Sequence, residues 1–114
     1  MTATYKGKTI VYDIDTNTYN DGFSTTFIQD LLIAEKFGAN AIKDTYNRVV
    51  KYWIHDVRYF TDFVMALNHL AWNSYEHGKQ ELSKLYSELY QKATDVAYET
   101  YKNEELQYFF GILD

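Results

Sequence analysis

The chain opens on two short runs rich in β-branched and aromatic residues, Ala3-Thr4-Tyr5 and Thr9-Ile10-Val11-Tyr12. They flank Lys6-Gly7-Lys8, where glycine can supply a positive φ, and the pattern predicts a β-hairpin. Asp13 to Gly22 follows as a cluster of Asp, Asn, Thr and Gly whose side chains compete for backbone hydrogen bonds, which predicts a loop. Beyond it the apolar period lengthens to three and four residues, the mark of amphipathic helices.

Thr26 and Gln29 have capping-box spacing, so a first helix is expected to start at Phe27, bury Phe27, Ile28, Leu31 and Ala34, and stop at Gly38. Asn40 is placed to cap a second helix with Ile42, Tyr46, Val49, Val50 and Trp53 inward and Lys43, Arg48 and Lys51 elsewhere. A third is predicted from about Asp56 to His77, with Phe60, Phe63, Val64, Leu67, Leu70, Ala71 and Ser74 on one face and Gly78 as its stop. Its apolar residues exceed one stripe, which marks it as central. Gln80 to Tyr101 predicts a fourth helix, packed through Leu82, Leu85, Leu89, Ala93, Val96 and Ala97. Glu104 to Leu113 predicts a short last one, with Leu106, Phe109, Phe110 and Leu113 apolar and two acids in the first turn, where the helix dipole favours them.

An N-terminal β-hairpin followed by four to five helices is an α+β fold in a compact, mostly helical arrangement, since strands confined to one end cannot build an alternating parallel sheet. With no proline and no Gly/Ser-rich linker, residues 1–114 are expected to form a single domain. Cysteine is absent, which removes disulfides, thiolate metal sites and cysteine nucleophiles from consideration. No signal-like leader and no apolar run near the roughly eighteen residues of a membrane span occurs, so a cytoplasmic location is expected.

Sixteen acids against eleven bases leave a net charge of −5, which favours basic partners over phosphate backbones. The charge is uneven: residues 1–35 sum to −3, residues 36–75 to +2 and residues 76–114 to −4. Any acidic docking surface is therefore expected at the two ends of the chain.

Candidate chemistry is sparse. Asp13, Asp15 and Asn17 match the first three ligand positions of a calcium loop, but Thr18 stands where glycine is needed and Ser24 where a bidentate glutamate is needed, so a solvated turn is the expected outcome. His55, His69 and His77 lack the four-residue spacing that puts two imidazoles on one metal. No serine sits on a glycine-flanked elbow and no glycine-rich phosphate loop exists, so neither a catalytic residue, a metal nor a cofactor is assigned. Twelve tyrosines are the compositional oddity, and tyrosine suits interfaces because it combines rigid apolar area with a polar tip. Tyr46, Tyr59 and Tyr75 are expected in the core, and Tyr19, Tyr86, Tyr90, Tyr98 and Tyr108 at the surface. Lys43, Arg48, Lys51 and Arg58, with Tyr52 and Trp53, could form a nucleic-acid patch or a solvated, internally paired face.

The stretches DGFSTTF (21–27), AEKFGANAIKDTYNRVV (34–50), FVMALNHLAW (63–72) and EELQYFFGILD (104–114) resemble a family of small proteins encoded on phages and integrative conjugative elements of Gram-positive bacteria. Some small acidic proteins of that setting inhibit type II-A CRISPR nucleases. The resemblance thus implies an anti-CRISPR inhibitor that binds an RNA-guided nuclease, or another host defence protein, and blocks guide RNA or target DNA binding, with neither membrane nor direct nucleic-acid contact. On that reading Asp13, Asp15, Asp21, Glu104, Glu105 and Asp114 would touch the partner, with Tyr19 and Tyr108 as aromatic anchors. Two alternatives stand beside it: an accessory or regulatory interaction protein of conjugative transfer, and a DNA-binding regulator using the basic second helix.

Overall fold

The computed structural model describes residues 1–13 and 25–113. Most of the loop expected from Asp13 to Gly22 lies outside them, as do Asp15, Tyr19, Asp21 and Asp114 of the expected contact set.

The hairpin forms as the alternation predicted. Strands β1 (Thr2–Tyr5) and β2 (Lys8–Val11) pair antiparallel, with Thr2 opposite Val11 and Tyr5 opposite Lys8. Lys6 at φ 48° and Gly7 at φ 80° make the two-residue connection, both central residues taking the positive φ that matches strand twist. A lone four-residue hairpin is marginal in water. This one is held by Tyr5, whose ring packs 5.6 Å from that of Phe37 and whose hydroxyl donates to the Asp44 carboxylate.

Among the described residues five helices follow: α1 (Thr25–Phe37), α2 (Ala39–Trp53), α3 (Val57–Glu76), α4 (Gln80–Thr100) and α5 (Asn103–Leu113). The α+β architecture and the helix positions agree with the sequence pattern, whereas two predicted caps do not form. Helix α1 already includes Thr25 and Thr26, so Thr26 lies inside the first turn instead of capping it. Asn40 likewise falls inside α2, whose N-cap is Gly38 at φ 112° and ψ −175° with no side-chain cap. One residue therefore ends α1 and starts α2, and only glycine occupies that backbone region at low cost. The tight joint folds α2 back against α1.

Asp56 caps α3, its carboxylate accepting the Tyr59 N–H at 3.2 Å. At the other end Gly78, at φ 73°, sits where the Gly78 N–H donates to the Tyr75 carbonyl at 3.1 Å and the Lys79 N–H to the Ser74 carbonyl at 2.9 Å. That paired pattern closes the last turn of α3 and reverses the chain into α4.

Helix α3 carries the core. Phe60, Thr61, Phe63, Val64, Ala66 and Leu67 are each 0% exposed, and together they cover more than half of the helix circumference. Helix α4 covers one side through Leu89, Ala93 and Ala97, α1 supplies Phe27, Ile28 and Leu31, α2 supplies Ile42, Tyr46 and Val49, and Phe109 of α5 closes the end near Phe60. Aromatic rings stitch these layers: Phe27 and Tyr46 lie 5.4 and 6.1 Å from Phe63, and Tyr101 lies 6.4 Å from Phe60 and 5.8 Å from Phe109. These offsets are in the range where ring pairs gain beyond their buried area.

Gly38→Ala tests the joint. Nothing lies within 4 Å of a Cβ built there, so backbone strain is the only cost. Urea denaturation should show a loss of about 1–3 kcal/mol.

Candidate functional site

The joint between α4 and α5 gathers charge and aromatic area. Helix α4 ends at Thr100, and Tyr101 turns to extended backbone at φ −85°, ψ 144°. Its ring is buried between Phe60 and Phe109, and its hydroxyl is buried without a hydrogen-bond partner among the described residues. Burial, with Glu105 and Asp56 nearby, pushes that phenol well above its usual range. Two carboxylates from separate helices thus act on this phenol, Asp56 from the start of α3 and Glu105 from the first turn of α5.

Glu105 also has a structural task, since its carboxylate accepts the Lys102 N–H at 3.3 Å and closes the start of α5. Glu104 beside it is exposed, and Tyr108, one turn further on, is 38% exposed. Spacing of four residues puts the two on one helix face. Tyr98, 64% exposed, has its ring 6.3 Å from Phe110, which lies on the opposite flank of α5 from Tyr108.

Asp13, the other described member of the expected contact set, is elsewhere. It lines a cleft of about 310 Å³ with Leu32, Glu35, Lys36, Ser74, His77 and Lys79, at the C-terminal end of α3. Helix α3, with 20 residues, is about 30 Å long, and Asp56 and Glu105 mark its opposite end. Asp13 and the Glu104–Glu105–Tyr108 group therefore belong to two separate surfaces.

Several tyrosines exchange places relative to the sequence expectation. Tyr86, expected at the surface, is 0% exposed, and its hydroxyl donates to the Glu35 carboxylate at 2.6 Å. Tyr59 and Tyr75, expected in the core, are 47% and 63% exposed. Tyr86 fills the seam between α1 and α4, whereas Tyr59 lies in the first turn of α3 beside Trp53, rings 5.1 Å apart, and Tyr75 lies in the last turn. Helix ends project beyond the neighbours that would cover them. Tyr46 is buried, and Tyr98 and Tyr108 are accessible, as expected.

Glu35 borders both the Asp13 cleft and a larger one of about 520 Å³ with Gly38, Ile42, Lys43, Lys79 and Leu85. Burial raises its carboxyl, while the Tyr86 hydroxyl, Lys79 and Lys36 pull it back down. Of the basic residues on α2 and α3, Arg48 offsets the burial of Asp30 and Arg58 that of Asp62, so both face acids of this chain. Lys43, Arg48, Lys51 and Arg58 are all exposed, and the Lys51 ammonium lies 5.5 Å from the Tyr52 ring.

Among the described residues no group of three or more His, Asp or Glu is placed to hold a metal ion, and no helix is long and apolar enough to cross a membrane. The sequence reading missed Tyr101, although it stands four residues after Ala97 on the buried face of α4, a spacing that could have flagged it.

No family model, no curated protein and no solved structure matches this chain.

Three measurements check the polar interior. Tyr101→Phe keeps the rings and removes an unpaired hydroxyl, so stability should rise by about 1 kcal/mol. Glu35 protonates more readily folded than unfolded, so its contribution is present below the ordinary value of 4.5 and is lost as pH rises through the higher folded value. Glu35→Gln should flatten that part of the stability–pH curve. Tyr86→Phe should move the Glu35 carboxyl titration, followed by carbon NMR, further up.

Proposed function

We propose that this chain is a stoichiometric, non-catalytic inhibitor of a host defence nuclease of the RNA-guided type II-A class, working in the bacterial cytoplasm. The observation that carries the reading is the start of α5, where exposed Glu104 shares a helix face with the accessible Tyr108 ring and Glu105 stands beside it, with Asp56 acting on the same Tyr101 phenol as Glu105. Such a nuclease holds its guide–target duplex and reads its adjacent motif through Lys- and Arg-lined channels. An acidic surface with tyrosine anchors can occupy those channels in competition with nucleic acid, the charges steering encounter and the rings supplying affinity. The likeness of four sequence stretches to phage- and conjugative-element proteins supports the choice of target class.

The exposed Tyr52 ring near Lys51, with Trp53 and Arg58 close in sequence, favours a second reading in which the α2–α3 elbow touches DNA. Retention of duplex DNA at low salt, weakening steeply as salt rises, would support that reading over the first.

A cleavage assay with purified nuclease, guide and target decides the first. Adding the protein before guide or before target should suppress cleavage, and the order that protects identifies the blocked step. Glu104→Lys combined with Tyr108→Ala should weaken inhibition by about 2–4 kcal/mol, roughly 30- to 1000-fold. Glu105 is left intact because it caps α5. Full cleavage with the wild-type protein in molar excess overturns the proposal for that nuclease.

A further inference from the structure

The last helix is held on the rest of the molecule by apolar side chains. Among the described residues no hydrogen bond runs from α5 to another helix or to the hairpin. The Tyr101 N–H donates back to the Ala97 carbonyl at 2.8 Å and belongs to α4. Beyond it, the Leu106 N–H donates to the Lys102 carbonyl at 2.8 Å and the Lys102 N–H to the Glu105 carboxylate at 3.3 Å. Each helix therefore closes its own end, and no hydrogen bond ties the two across the Tyr101–Lys102 link.

Among the α5 side chains described, Phe109 alone is 0% exposed. Leu106 and Phe110 are half-buried, while Glu104, Gln107 and Tyr108 are exposed. The helix rests on α3, and its rings reach Tyr101 at 5.8 Å and Tyr98 at 6.3 Å. Eleven residues with Gly111 in the last turn make a helix that is marginal without such packing.

Two features oppose its closure. The Tyr101 ring stands between Phe60 of α3 and Phe109 of α5, with its hydroxyl sealed from solvent and unpaired among the described residues. Lifting α5 opens one side of that ring to water, so the hydroxyl gains in the open form the partner it lacks in the closed one. Charge acts in the same direction. The last turn of α4 holds Glu99 and no base, and α5 starts with Glu104 and Glu105, so carboxylates stand on both sides of the link at the negative end of α4 with Lys102 as the one base between them.

We infer that α5 is a lid, which swings away as one unit about the Tyr101–Lys102 link while α1 to α4 stay folded, uncovering the Phe60 and Tyr101 rings. Because Glu105 closes the start of α5 from within, the face carrying Glu104 and Tyr108 moves as a single piece. The rings nearest Phe63 come from Phe27 of α1, Tyr46 of α2 and Phe60 of α3, so the rest of the core keeps its own packing when α5 leaves. The lid goes beyond the inhibitor reading and does not rest on it, since its opening requires no partner.

Native-state hydrogen exchange of the full chain in low urea, read residue by residue, tests the lid. The amides from Leu106 to Phe110 should share one opening equilibrium, at least about tenfold more open than that of Phe63, Val64 and Leu67 and with a weaker urea dependence. Tyr101→Phe should slow these α5 amides together, by about fivefold, because no hydroxyl then gains water on opening. In Phe109→Asp protein, which cannot seat the helix, α5 should exchange freely while the Phe63, Val64 and Leu67 amides stay protected. Equal openness and equal urea dependence of α5 and those α3 amides overturns the inference. A gradient of openness rising toward Leu113 that Tyr101→Phe leaves unchanged overturns it too, since that is fraying from the far end of the helix. So does loss of all protection in Phe109→Asp, which would show that α1 to α4 do not hold without α5.

Discussion

Everything in this molecule depends on covering α3. A helix with Phe60, Phe63, Val64, Ala66, Leu67, Leu70 and Ala71 all nearly inaccessible cannot be satisfied by one neighbour, because those positions span well over a single stripe. Helix α4 covers one side, α1 and α2 cover another, and α5 with Tyr101 closes the end at Phe60. Each Phe or Leu fully removed from water is worth about 1.5–3 kcal/mol, so the burial of α3 is the dominant favourable contribution to the fold. The hairpin is the opposite case: it has little apolar surface of its own and depends on Tyr5 meeting Phe37 and Asp44.

That dependence explains why the joints between helices are so short and so well closed. Gly38 ends one helix and begins the next, Gly78 closes α3 through two backbone hydrogen bonds, Asp56 caps its start, and Glu105 closes the start of α5. Each joint brings the next helix back onto α3 with its terminal backbone groups paired. Two polar groups stay under tension within this packing. The Tyr101 hydroxyl is buried unpaired, and the Glu35 carboxyl is partly buried and held by Tyr86. Both lie where α4 joins another element, which is where ring volume and polar satisfaction compete.

The surface divides along the length of α3. At its N-terminal end, Asp56 of α3 and Glu105 of α5 act on the Tyr101 phenol, with Glu104 and Tyr108 on one flank of α5 and Tyr98 on the other. At its C-terminal end, Asp13 shares a cleft with Lys36, His77 and Lys79, so the acid there is compensated by bases. Toward that same end, the groove between α3 and α4 is lined by uncharged side chains, with the Trp72 and Tyr75 rings exposed on it. A net charge of −5 therefore describes no single face, and the partner chemistry differs from one end of the helix to the other.

The sequence by itself determined the hairpin, the five helices and most of the core, because strand alternation, the three-to-four spacing of apolar residues and the stops at Gly38 and Gly78 are local properties of the chain. It misplaced the caps at Thr26 and Asn40, since several Ser, Thr and Asn residues near a helix start are equally able to cap and only the path of the backbone selects among them. Tertiary structure alone decided the fate of Tyr59, Tyr75 and Tyr86. Tyr86, Tyr75 and Tyr59 have similar local surroundings in sequence, but Tyr86 faces the α1–α4 seam while the other two project from helix ends. Tertiary structure also separated Asp13 from Glu104 and Glu105 by the length of α3, because which charges share a face depends on how helices stack, and composition carries no record of that.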